Sequence, residues 1–152
     1  MSNTKKSTRQ GTQHAEHLGK ILDESLKDIY WAENHLVKTL PKLSAAATDE
    51  LLKEAFDAHL GQTREHVAIV EQVFKLLGKE ASGKRCAAMA GLSEEALEVV
   101  EQHEAGAAKD AALIMSAQKA EHYEIAAYGS MVSFAIHLGR EDVADLLTEV
   151  LS

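Results

Sequence analysis

Apolar residues spaced three and four apart over six turns, then interrupted by polar groups, restrict this chain to helices that each bury one face. The first such seam runs Leu22, Leu26, Ile29, Glu33, Leu36, Leu40 and Leu43, with one carboxylate at its centre. A second runs Leu52, Phe56, His59, Thr63, His66, Val70, Val73 and Leu77. A third runs Ile114, Ala117, Glu121, Glu124, Tyr128, Met131, Ala135 and Leu138. Three helices thus carry carboxylates or imidazoles halfway along faces expected to be buried.

Burying an ionised carboxylate without a partner removes a large share of a small domain's stability. No Lys or Arg stands in these seams to neutralise one. Two divalent metals would balance three or four carboxylates and accept neutral imidazoles as further donors. The ligands expected are Glu33, His66, Glu121 and Glu124, with His59 as a further ligand or as a partner to one. Glu121 is the strongest single candidate, because Glu121-His122-Tyr123-Glu124 puts two carboxylates three apart on one face. His122 points about 100° away from Glu121. A lone core histidine is more often a satisfied structural group than a ligand. The shared depth of these residues on three helices favours the metal. Tyr30 and Tyr128, near the same level, read as packing residues.

A chain of 152 residues makes one domain, able to bury roughly two-thirds of its unfolded surface. Its net charge of -8 argues against nucleic-acid binding by the folded body. No apolar run approaches the roughly 18 to 20 residues that cross a bilayer. The start lacks the apolar core of a signal peptide, so a cytoplasmic protein is expected. The single cysteine, Cys86, cannot form an internal disulfide and reads as structural.

Residues 1–16, polar with Lys5, Lys6 and Arg9, are expected to form a disordered tail ahead of a bundle domain over 17–152. A first helix is predicted over 17–44 with Pro41 in its last turn, and a second from Thr48 to Leu77, stopped by Gly78. The stretch 79–106 reads as irregular, with a short helix capped by Ser93. A third long helix spans 107–138, ended by Gly139, and a fourth runs from Arg140 or Glu141 to Ser152, short for its place. Two antiparallel hairpins joined by a long crossover give an all-α, ferritin-like four-helix bundle with a shortened fourth helix.

Several segments also resemble a known family. Asp28-Ile29-Tyr30-Trp31-Ala32-Glu33, Leu40-Pro41-Lys42, His59-Leu60 with Thr63 and His66-Val67, Cys86 with Met89, Gly91 and Leu92, Asp110-Ala111-Ala112, and Glu121-His122-Tyr123-Glu124-Ile125 with Tyr128-Gly129 are similar to the YciE/YciF family of bacterial stress proteins, in order, over about residues 17–152. The resemblance implies a rubrerythrin-type bundle, a homodimer, a di-metal centre and no assigned reaction. It carries ligand roles onto Glu33, His66 and Glu121. In two places the chain departs from the general di-iron pattern. Thr63-x-x-His66 stands where that pattern has Glu-x-x-His, which leaves Glu124 or His59 to substitute, and the fourth helix offers Glu149 as its last acid.

The function expected is that of a stress-response protein with a di-iron or di-manganese centre, iron ranked ahead of manganese, that reacts with oxygen or peroxide. The sequence does not identify its electron donor or protein partner. The rival is a non-enzymatic, partner-binding bundle with a vestigial site whose protonated carboxylates bond to histidine and tyrosine. A DNA-protecting shell that uses the basic tail is disfavoured by the acidic body.

Overall fold

The computed structural model describes residues 2–152, with side chains from residue 10 onward. Five helices follow in order: α1 (Ser2–Ala46), α2 (Glu50–Leu76), α3 (Ala87–Gln102), α4 (Ala107–His137) and α5 (Glu141–Leu151). No strand occurs among the described residues. α1 packs on α2, α3 and α4, while α5 packs on α4 and α2. α1/α2 and α4/α5 are the two hairpins, and α3 lies within the crossover between them.

The first seam is buried at every position from Leu22 to Leu43, Glu33 included. α1 starts at Ser2, and its side chains from residue 10 to residue 17 are all exposed, so they add nothing to the core. Lys5, Lys6 and Arg9 lie outside the described side chains. Pro41 sits near the end of α1 on the exposed side, where its missing N–H is tolerated.

Local chemistry sets the helix ends. Asp49, one residue later than expected, caps α2 by accepting the Leu52 N–H. Gly78 and Gly139 have φ of 70° and 71°. This left-handed conformation lets Lys79 N–H reach back to the Phe74 carbonyl and Arg140 N–H to that of Ala135. α3 differs more from expectation. It begins six residues before Ser93, because Cys86 Sγ caps it by accepting the Met89 N–H at 3.4 Å. Ser93 is buried inside the helix instead of capping it. A thiol is a weak acceptor and does not stand out as a cap in a sequence.

Two polar ties lock the hairpins together. Asp110, in the first turn of α4, accepts the N–H groups of Thr48 and Asp49 at 2.8 and 2.9 Å. This holds the α1–α2 turn against α4 and satisfies two donors at the start of α2. At the other end, Arg140 donates to the Leu76 carbonyl at 3.0 Å.

α4 is turned by about one residue from the expected seam over its first half. Leu113 and Ala120 are buried, whereas Ile114 is 42% exposed and Glu121 is exposed. From Glu124 to Ala135 the expected face is the buried one. The heptad reading carries a step of 3.5 residues along a helix that turns every 3.6, and the drift accumulates.

Candidate metal centre

Glu33, His66 and Glu124 meet at the level where the three seams turn polar. Each offers a ligand atom, and the three atoms lie within 4.8 Å of one another. Glu33 comes from α1 with 0% exposure, and Glu124 from α4 with 6%. His66 Nδ1, from α2, is 3.3 Å from Glu33 Oε2 and 3.5 Å from Glu124 Oε2. His59, about two turns earlier on α2, places Nε2 4.0 Å from Glu124 Oε1, beyond hydrogen-bond length. Thr63 does not replace the missing glutamate, because it brings neither a charge nor a second oxygen; its hydroxyl donates to the His59 carbonyl at 2.8 Å.

Glu121 is exposed and stands outside the three-residue cluster. It lines the rim of an open cavity of about 520 Å³ whose wall also holds His59, His66, Glu124 and Tyr128. Gln62, Glu65 and Glu149 share this wall. Neither Gln62, a commonplace residue in the sequence, nor Glu65 carries a periodic signal that marks it for this wall. His122 is exposed, as helical geometry requires. Tyr30 points elsewhere: its hydroxyl donates to Glu71 at 3.3 Å and its ring packs edge-on to Phe74.

Burial pushes the Glu33 carboxyl up to about 8, the nearby Glu124 adding to the rise and the His66 hydrogen bond opposing it. Burial disfavours charge on His66, yet Glu124 and Glu33 raise it to about 9. Burial also pushes Glu124 upward, but His66, Glu33 and His59 outweigh it and hold its carboxyl below the usual value. At neutral pH the metal-free cluster is therefore a neutral acid, a carboxylate and an imidazolium, with no net charge. Replacing the two protons by one dication leaves the charge unchanged.

Three buried oxygens in this region lack a hydrogen-bond partner: Glu33 Oε1, Glu124 Oε1 and the Tyr128 hydroxyl. Buried polar atoms normally have partners; in the metal-free cluster the Glu33 proton serves Glu33 and Glu124 together, and two acid side chains meeting beside an imidazole suit a cation in place of the protons. Ligand atoms held about 2.1 Å from one metal stand roughly 3 to 4 Å apart, which the His66 distances meet. The donor set passes this test for an iron- or manganese-type ion.

Cys86 is buried at the start of α3, with Sγ 3.0 Å from the Tyr123 hydroxyl. It serves as a cap and a packing group. Among the described residues no helix is long and apolar enough to cross a membrane.

Residues 17–152 match the family described as a domain of unknown function, DUF892. Protein YciF of Escherichia coli (strain K12) is 44% identical over 127 residues, covering 83% of this chain and 76% of that protein. The solved structure of the E. coli stress protein YciF superposes with a TM-score of 0.84 at 41% identity, covering 88% of this chain and 85% of the other. YcfI from Rhodopseudomonas palustris gives a TM-score of 0.85 at 39% identity, covering 87% and 84%. With the match running from residue 17 to the last residue and close likeness in both sequence and structure, the chain belongs to the YciE/YciF family of bacterial stress proteins.

Proposed function

We propose that this bundle is a carboxylate–imidazole metal protein of the stress response, with a di-iron or di-manganese centre open to oxygen or peroxide. The observation that carries the reading is the meeting of Glu33 and Glu124 oxygens with His66 Nδ1 in one cluster, 3.3 and 3.5 Å from the imidazole. Glu33, His66 and Glu124 would hold the first ion. The second Glu124 oxygen, His59 and the rim acid Glu121 are the donors left for a second.

When bound, such a pair supplies one-electron chemistry toward oxygen or peroxide. The chain's residues supply the setting. Glu33 and His66 each give up a proton as the ion enters, which keeps the buried cluster neutral. The seam residues Ile29 and Leu36 lie one turn either side of Glu33 and are fully buried, which excludes water on the α1 side. The cavity on the α2–α4 side admits a small molecule. A homodimer and a cytoplasmic setting belong to the same reading, as the family resemblance and the sequence imply.

Anaerobic loading with ferrous iron followed by air tests this directly. Two irons per chain, a new near-ultraviolet band and consumption of added peroxide are expected. A folded protein that takes up no iron would instead support the non-enzymatic reading. One observation already favours that rival: the metal-free cluster is fully neutralised by its own protons, Glu33 being pushed up to about 8.

A further inference from the structure

The Tyr128 hydroxyl is the third orphan of the buried cluster, and neither packing nor the ligand set uses it. The ring is completely buried and stands edge-on to the His66 ring, with centroids 6.2 Å apart. The residue forms part of the cavity wall beside His66 and Glu124. Burial holds its phenol protonated, and the Glu33 carboxyl lies beside it without reaching good hydrogen-bond geometry. A phenol is a donor at neutral pH, and this one has no acceptor in hydrogen-bond geometry while its residue lines the cavity beside two of the candidate ligands. A buried phenol kept without a partner costs stability, while a phenylalanine of the same shape would not.

We infer that Tyr128 is a positioning residue that donates a hydrogen bond to the exogenous ligand in the open coordination position of the metal centre, and so selects small ligands that can accept one. This rests on the metal reading proposed above. The class selected is a small anion or a reduced oxygen species, in preference to a neutral ligand without a lone pair facing the phenol.

The test uses the full-length chain, cobalt(II) as a spectroscopic probe, azide as the exogenous ligand, and the variant Tyr128→Phe. The variant should bind the same number of cobalt ions within about twofold of wild-type affinity, and azide about tenfold more weakly. Unchanged azide affinity would overturn the inference. So would a loss of cobalt affinity with azide binding intact, which would show the hydroxyl serving Glu33. If wild type itself bound no cobalt, the metal reading would fall and this inference with it, a result distinct from a failure seen only in the variant. A metal-free measurement adds a separate check. Tyr128→Phe should melt at or above the wild-type temperature, and a fall of several degrees would assign the hydroxyl a structural bond and overturn its role toward a ligand.

Discussion

The α1 wall of the cluster is closed and the α2–α4 wall is open. On the closed side Glu33 sits in an unbroken apolar seam covered by α2, α3 and α4, and burial pushes its carboxyl up to about 8. On the open side Glu121, also a glutamate of an apparent seam, stands exposed at the cavity rim. α5 runs eleven residues and contributes only Glu149, Val150 and Leu151 to that cavity, with Ser152 just after them. The difference teaches that a seam reports burial only where another helix covers it. It also divides the candidate ligands into a buried set whose protons match one dication and a solvated set that must work harder to hold a second.

The largest expected effect separates the two walls at once. Glu33→Gln, which keeps the shape and removes the charge, should weaken the first ion by about 100-fold or more, since losing a mere partner of a ligand already costs 10–100-fold. Equal tolerance of Glu33→Gln and wild type in a metal titration would erase the distinction. Next in size is proton linkage. Glu33 near 8 and His66 near 9 both hold protons at pH 7, so calorimetry in buffers of different ionisation enthalpy should find about two protons released by the first ion. Fewer than one would show that the cluster is not charge-matched.

The same shifts set the pH dependence of the metal-free fold. Both folded values lie above the unfolded ones, so the stability they give is fully present below 4.5 for Glu33 and 6.5 for His66. It is lost as pH rises through about 8 and about 9. Glu124 acts oppositely, its contribution fading as pH falls. Melting temperature should therefore decline between pH 6.5 and 9, and a flat profile in that window would contradict the assignment.

Away from both walls, Asp110→Ala removes the acceptor of two N–H groups and should cost about 2 kcal/mol, or roughly 4–8 °C in melting temperature. The smallest effect should be that of Glu121→Ala on the first ion, within about threefold for a solvated carboxylate, with any larger loss confined to the second. If Glu121→Ala released the first ion as Glu33→Gln does, the open wall would not be secondary.

The sequence was most informative where a single helix face decided the outcome. Seven positions from Leu22 to Leu43 share one phase, and all are buried. The hairpins and the crossover followed from Gly78, Gly139 and the long gap between them. The α4 stripe was legible only from Glu124 onward, because Leu113 and Ile114 are both apolar and nothing local says which faces inward. Of the expected ligands, the structure brings Glu33, His66 and Glu124 together, puts His59 at the margin and leaves Glu121 at the rim. The α3 start was missed because a thiol made its cap. Asp110 gave no sign of its role, since its acceptors' partners lie more than sixty residues away.

Anomalous scattering from crystals grown with manganese(II) tests the central claim most directly. A peak about 2.0–2.3 Å from oxygens of Glu33 and Glu124 and from His66 Nδ1 is the predicted result, with a second, weaker peak toward His59 and Glu121. Well-ordered crystals with manganese absent from this cluster, or bound only by surface acids, would contradict the account and leave the protonated, non-catalytic bundle in its place.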